Sequence, residues 1–338
     1  MKLGAYILRR ILLMIPMLLG ITLVIFILTR VVINGDPISE MVPPMASLAL
    51  KHRVAVQMGL TKPLLAQYLT YIWNLVHGNL GVSFLTSHPV IRDLETYFSA
   101  TFELTTYAMI LAFVIGMGLG IIAALHRNGW IDQATRVVSV SGVAVPVFWL
   151  SLVAIYFLFT QWHLVAAPIG RIAATTNPPP TITGLFVVDS LLTGDWSALW
   201  SSVGQLLVPV LVLAFGALAP IARMARGGMI EALEAPYTMT AVTLGIPRRR
   251  RVLRYALKNA VLPVITMTAV VYGYLLGGSV LVENIFSWPG LGRYAYDAIA
   301  GSDYPAIQGF ILYAAVMYAL IFLLADVIYR LLDPRIRS

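Results

Sequence analysis

An all-α polytopic membrane protein with six transmembrane helices is the fold class this sequence predicts, on three observations. Hydrophobic residues make up 59% of the 338 and charged residues only 11%, against roughly 25% charge in a soluble domain, whose surface must be solvated. Six apolar runs each approach the ~20 residues that cross a hydrocarbon layer about 30 Å thick. Basic residues gather between alternate runs, as they do in cytoplasmic loops.

In chain order the spans are expected near Ile11–Ile33, Thr101–Leu125, Val137–Gln161, Val203–Ala222, Val261–Val282 and Ile307–Leu332. The first is expected to be a retained anchor, because its apolar core is too long for a signal peptide and no small-residue cleavage site follows it. Lys2, Arg9 and Arg10 precede it, and Arg127 and Arg136 flank the loop after the second span. Arg223, Arg226, Arg248 to Arg251, Arg254 and Lys258 crowd the loop after the fourth, and Arg330, Arg335 and Arg337 close the chain. These are 16 of the 23 basic residues. They place both termini and these two loops in the cytoplasm of a multi-pass protein. The net charge of +8 therefore records topology and is not a nucleic-acid footprint. Asp36, Glu40, Asp93, Glu95, Asp189, Asp195, Glu283, Asp297 and Asp303 fall in the remaining loops.

Two of those outer loops are too long to be connectors. Within residues 34–100, Leu64–Val76 reads as a helix between Lys62-Pro63 and Gly78-Asn79, so a helical extracytoplasmic insertion follows the first span. The expected division is a tail and first helix at 1–33, the insertion at 34–100, and a transmembrane core at 101–338 with a cytoplasmic loop at 223–260. In the loop from Trp162 to Ser202, Thr175-Thr176-Asn177-Pro178-Pro179-Pro180 must be irregular or polyproline-like. Leu185 to Trp200 is amphipathic and suits an interfacial position.

Several chemistries are excluded. Without Cys there is no disulfide, thiolate metal site or thiol nucleophile. His52, His77, His88, His126 and His163 are scattered without metal-ligand spacing, so no catalytic or metal residue is assigned. No G-x-x-x-x-G-K-[ST] phosphate loop occurs. The span interiors are almost bare of ionisable groups, which argues against an ion-coupled carrier. Glu103 and Asp326 lie at span ends and read as interfacial charges that snorkel or pair. Neither an inverted repeat nor a filter-like segment is visible.

Glycine and proline suggest where helices meet and bend. Gly116 with Gly120, and Gly273 with Gly277, are GxxxG pairs that let backbones approach. They suit a subunit interface, a pore-lining helix that rotates, or ordinary packing inside one bundle. Pro146, Pro209, Pro220 and Pro263 remove backbone donors in or beside spans and permit kinks.

The most informative stretch is Tyr237 to Thr266, YTMTAVTLGIPRRRRVLRYALKNAVLPVIT. Tyr237, Ala241 and Gly245 are four apart and share a helical face, with Thr240 beside them. Gly245 can end that helix, and Pro247 can open the next at its first turn. This pattern suits a smooth ridge that docks in another protein's groove. It equally suits an amphipathic surface helix beside a topological arginine cluster.

The stretch resembles the EAA loop of ATP-binding-cassette (ABC) importer permeases, in the form of the dipeptide/oligopeptide/nickel family. Tyr237, Thr240, Ala241, Gly245, Asn259, Ala260 and Pro263 match that pattern. Met239 replaces the generic Glu, as suits the peptide-type branch, Leu244 a common Lys, and Tyr255 a common His. The resemblance covers essentially the whole chain. It includes YILRRILLMIPMLLGITLVIF, Gly35-Asp36-Pro37, Gly59-Leu60, Gly78-Asn79-Leu80-Gly81-Val82-Ser83-Phe84 and Ala100-Thr101-Phe102-Glu103-Leu104. Pro146-Val147-Phe148-Trp149, Glu283-Asn284-Ile285-Phe286-Ser287-Trp288-Pro289-Gly290-Leu291-Gly292, Asp303-Tyr304-Pro305 and Leu332-Asp333-Pro334-Arg335 complete it, and the chain is similar to the first permease of such systems.

The resemblance implies a type I ABC importer permease fold in a bacterial cytoplasmic (inner) membrane. It implies pairing with a second homologous permease, two cytoplasmic ABC ATPase subunits and an extracytoplasmic substrate-binding protein. This chain would hold no cofactor; ATP and Mg would sit in the ATPases. Tyr237, Thr240, Ala241, Gly245, Asn259 and Pro263 would form the coupling surface. Glu283, Trp288, Pro289, Gly290 and Gly292 would form an outer gate, a binding-protein contact or a structural cap. Arg248 to Arg251 suit membrane lipid better than ATPase acids. Peptides are the leading substrate expectation, with nickel chelates, glutathione and other small solutes as alternatives.

Overall fold

In lipid every backbone N–H and C=O must be satisfied within the protein, which leaves helices as the natural solution for apolar segments of this length. The structure, a computed structural model, describes residues 3–32, 47–57 and 61–332. Gly35-Asp36-Pro37, Gly59-Leu60 and Asp333-Pro334-Arg335 lie outside these residues, as do Lys2, Glu40 and Arg337. The described residues form helices α1 (Leu3–Ile27), α2 (Leu48–Gln57), α3 (Leu64–Val76), α4 (Val90–Leu125) and α5 (Trp130–Ala144). There follow α6 (Val147–Ala154), α7 (Phe186–Thr193), α8 (Trp196–Glu234), α9 (Pro236–Thr243) and α10 (Leu257–Gly278). Short α11 (Val280–Ile285) and α12 (Leu291–Ala300) precede the closing α13 (Tyr304–Leu332). Wide π-type turns extend α1 through Leu28–Val32 and α6 through Ile155–Gln161, and another, Arg251–Ala256, leads into α10.

Five of these stretches are long and apolar enough to cross a membrane, and the sixth expected span is broken. Val137–Gln161 is not one helix. α5 ends at Ala144, Val145 is extended (φ −81°, ψ 119°), and α6 leaves at 98°. Pro146 causes this, because its ring excludes helical conformation at the preceding residue and it has no N–H to donate. By contrast, Pro209, Pro220 and Pro263 lie inside continuous helices. α3 occupies the expected Leu64–Val76, while α4 runs unbroken through position 100.

The core forms around α8, which packs against α4, α5, α6, α7 and α10. Small residues make the closest of these contacts possible. Ala100, Ala108 and Ala112 of α4 and Ala214, Ala217, Ala222 and Ala225 of α8 are all buried. A Cβ at Gly116 would lie 3.0 Å from the Leu218 carbonyl oxygen, and one at Gly120 2.6 Å from that of Ala222. The first GxxxG pair therefore packs within this bundle. Gly142 of α5, unremarked in the sequence, approaches the Phe215 carbonyl as closely, at 2.8 Å. The second pair divides: Gly273 accommodates the Tyr318 ring of α13, whereas a Cβ at Gly277 meets nothing within 4 Å.

Buried ions pin the helix ends. Asp132, fully buried in the first turn of α5, accepts both Arg226 Nε (2.5 Å) and Nη2 (2.8 Å), and also Arg136 Nη2 (3.0 Å) and the Asn128 N–H (3.0 Å). Arg127 pairs with Glu234 nearby. Glu103 does not snorkel. It is buried against Arg171 (2.6 Å) and accepts the Val187 N–H (2.8 Å), while Arg171 stacks over the Phe186 ring. This ties the loop after α6 to α4. Asp189 closes the same loop on the N–H groups of Ile182, Thr183 and Gly184 and on the Thr183 hydroxyl. Burial alone raises its carboxyl, but these hydrogen bonds prevail and hold it below the ordinary carboxylate value. Asp326 pairs with Arg10 (3.1 Å), joining α13 to α1.

The glycine contacts make a direct prediction. Gly120→Ala should destabilise the detergent-solubilised chain by about 1–3 kcal/mol, the usual cost of overpacking a rigid contact. Gly277→Ala, in open space within α10, should not lower its thermal unfolding temperature and should raise its stability by up to about 1 kcal/mol.

Candidate functional site: a docking helix and an opposite lock

The short helix α9 projects at the arginine-rich end of the fold, where Arg127 and Arg248 lie beside the ends of α8 and α4. Its start follows from Ala235, held extended (φ −65°, ψ 147°) before Pro236 at the first helical position. Its end is a Schellman turn. Gly245 adopts φ +70°, its N–H donates to the Val242 carbonyl (3.0 Å), and the Ile246 N–H donates to that of Ala241 (3.1 Å). The helix rests on the end of α8 and on the Arg251–Ala256 turn. Beneath it, Met229, Ala232, Val252, Ala256 and Ala260 form a separate apolar cluster.

Burial corrects the expected docking face. Ala241 is only 2% exposed and Thr238 is buried, its hydroxyl donating to the Ala232 carbonyl (2.7 Å). Ala241 is thus the seat of α9 and not part of a ridge with Tyr237 and Gly245. The outward face is formed by Met239, Thr240, Thr243 and Leu244, with Tyr237 at its margin. Met239 is 57% exposed and Leu244 72%. Met239 and Val242 on this eight-residue helix, and Leu244 at its C-cap, hold large apolar side chains out from the fold. Met239 and Leu244 replace polar residues of the related pattern, so spacing alone could not find them. Asn259 and Pro263 are exposed on α10, and the Asn259 amide donates to the Tyr255 carbonyl (2.8 Å). Pro247 caps the next turn one residue before the helix, which starts at Arg248. Arg248, Arg249 and Arg250 are exposed.

At the opposite end, Glu283 is fully buried and holds α11 and α12 on α4. One carboxylate oxygen accepts the hydroxyls of Thr101 (2.8 Å) and Ser279 (2.7 Å), and the other accepts the N–H groups of Gly292 (2.7 Å) and Arg293 (3.1 Å). Burial pushes the carboxyl above its ordinary value despite these donors. The Trp288 indole is buried and donates to the Ala100 carbonyl (2.8 Å). A Cβ at Gly290 would lie 2.4 Å from the Thr101 hydroxyl, and one at Gly292 2.6 Å from the Val280 Cα. Glu283, Trp288, Gly290 and Gly292 are therefore enclosed as a lock, and Pro289 is partly exposed. Asp303 extends the same end by accepting the Ser83 hydroxyl (2.6 Å) and the N–H groups of Leu85 and Ala306. Among the described residues, no group of His, Asp or Glu is arranged to hold a metal. Glu283→Ala, which strands two hydroxyls and two backbone N–H groups, should cost about 2–6 kcal/mol of stability, from about 1–3 kcal/mol for each N–H left unsatisfied. Glu283→Gln should cost clearly less, because burial already favours the neutral form.

These features belong to a known group of proteins. Residues 116–338 match the family described as binding-protein-dependent transport system inner membrane component. Over 98% of its length the chain is 39% identical to the dipeptide transport system permease protein DppB of Alkalihalophilus pseudofirmus, covering 99% of that protein. It is 40% identical to the di/tripeptide transport system permease protein DppB of Pseudomonas aeruginosa, over 98% of both chains. It is 34% identical to the glutathione transport system permease protein GsiC of Escherichia coli, again over 98% of both. With its helical fold, bent span and projecting α9, the chain belongs to the inner membrane component family of binding-protein-dependent transport systems, the type I permeases of ABC transporters.

Proposed function

We propose that this chain is one of two paired permeases of an ATP-driven importer of di- or oligopeptides. The carrying observation is its end-to-end similarity to permeases named for dipeptides and di/tripeptides. An extracytoplasmic binding protein delivers the peptide. Two ABC ATPase subunits hold ATP and Mg on the cytoplasmic face, and the clustering of basic residues supports both termini and α9 lying there. The outward face of α9 seats in a groove of one ATPase, so that closure of the ATPase pair tilts α8 and α10 between inward-open and outward-open states. Ala241 and Thr238 fix α9 to the bundle, Gly245 ends it, and Met239, Thr240 and Leu244 make the contact. Asn259 and Pro263 of α10 flank the same surface. Arg248 to Arg250 hold lipid phosphates at the membrane surface. The Glu283 lock closes the outer end, and Pro289 offers an accessible point for the binding protein.

Three measurements test this reading. In the assembled transporter, Leu244→Glu should reduce peptide uptake about tenfold, as expected for loss of one apolar interface anchor, while membrane insertion stays intact. Undiminished uptake would exclude α9 as the coupling element. Gly245→Val should also impair uptake, because a β-branched residue resists φ +70°, and Gly245→Asn should be tolerated. The purified chain alone should bind no ATP, whereas the assembled complex should hydrolyse it faster when the binding protein carries a dipeptide. Stimulation by glutathione but not by dipeptides would move the substrate to that relative's class.

A further inference from the structure

Near the far end of α1, the fold holds a cation without a counterion among the described residues. Arg30 lies in the wide turn that extends α1 and is half-buried. Arg10, Arg127, Arg136, Arg171, Arg226 and Arg293 all pair with carboxylates. Arg30 makes no ion pair or hydrogen bond among the described residues. It lines a cavity of about 240 Å³ between α1, α3 and α13, together with Lys62, Tyr71, Asn74, Asn79 and Gln308. Among the described residues no carboxylate lines this cavity. The Tyr71 hydroxyl is buried with no hydrogen-bond partner.

The walls are rigid. Tyr68 of α3 bonds the Thr22 hydroxyl (3.2 Å) and the Leu19 carbonyl (3.2 Å), and both Tyr68 and Tyr71 pack on Phe26. Gln308 donates to the Thr29 hydroxyl (2.6 Å), which fixes α13 to α1. A half-buried guanidinium without a partner is costly, and this cost is relieved when an anion with several acceptor oxygens enters. Two cations, a hydroxyl donor without a partner among the described residues and several side-chain amides around one space match a phosphate group better than a lone carboxylate. At roughly 30 Å³ per water the cavity has room for about eight waters, enough for a phosphate with its ester carbons.

We propose that this cavity is a binding site for a phosphate group, supplied by a phospholipid headgroup or by the free anion, with Arg30 as its principal partner and Lys62 and Tyr71 as supporting donors. The occupant braces α1, α3 and α13 at one corner. The inference is independent of the transported substrate and of membrane orientation, so its failure leaves the reading of α9 untouched.

Native mass spectrometry of the assembled transporter tests it, with wild type, Arg30→Gln and Arg30→Lys each titrated with phosphatidylglycerol and separately with inorganic phosphate. For at least one probe, Arg30→Gln should weaken the tightest binding step about tenfold, the scale of one charge-assisted contact. Arg30→Lys should retain most of it, and Arg92→Gln, at an exposed cation outside the cavity, should change nothing. A shift with the lipid alone assigns the headgroup as the source, and a shift with inorganic phosphate assigns the free anion. Should Arg30→Gln fail to assemble, Lys62→Gln, at an exposed position, should weaken the same step. Equal affinities for both probes in wild type and these Gln variants would overturn the proposal.

Discussion

The rest of the structure depends on how closely α4 can approach α8. Gly116 and Gly120 leave room only for backbone atoms, and the alanines beside them continue the same tight seam. In lipid, where burying apolar surface between helices gains little, dense van der Waals contact is a principal source of adhesion. α5 and α10 are placed by that seam, whereas α1 is held through α13. α5 follows it through Gly142, α10 packs along it, and Asp132 with Arg226 fixes the end of α5 to α8.

α8 also connects the two ends physically. It is capped by Asp195, which accepts the Ala198 N–H, and it continues for 39 residues to Glu234. At 1.5 Å per residue that is about 58 Å, longer than a bilayer with its headgroups at about 45 Å. One continuous helix therefore reaches from the loop held by Glu103 and Arg171 to the seat of α9. In the proposed reading, a displacement at α9 reaches the opposite end through α8 without an intervening hinge. Among the candidate spans of the described residues, the sharp bend, at Pro146, falls in the neighbouring pair α5 and α6.

Much of this was legible in the sequence, and the exceptions have physical reasons. Composition and run length located the spans, and Lys62-Pro63 with Gly78-Asn79 bounded α3 correctly, because such signals are local. Gly245 was readable as a helix terminator for the same reason. Pro146 was visible as a kink site, but whether a proline bends a helix or is absorbed depends on its neighbours, as Pro209 and Pro220 demonstrate. Which face of α9 is buried was not legible. The spacing of Tyr237, Ala241 and Gly245 is genuine, yet the Arg251–Ala256 turn beneath the helix decides that Ala241 points inward. Nor does a linear reading reveal that Glu283 is enclosed, since its partners Thr101 and Gly292 converge only in space. Asp132 carried one weak signal, the i,i+4 Arg136, and its main partner lies 94 residues away.

The central claim is that the outward face of α9 is the contact through which an ATPase moves this permease. The chain has no Cys, so Leu244→Cys introduces a single thiol at the C-terminal edge of that face. Maleimide labelling should be rapid in the isolated chain and strongly suppressed in the assembled transporter, and oxidation should cross-link this thiol to one introduced in the groove of an ATPase subunit. Labelling at the same rate in the isolated and assembled states would contradict the account.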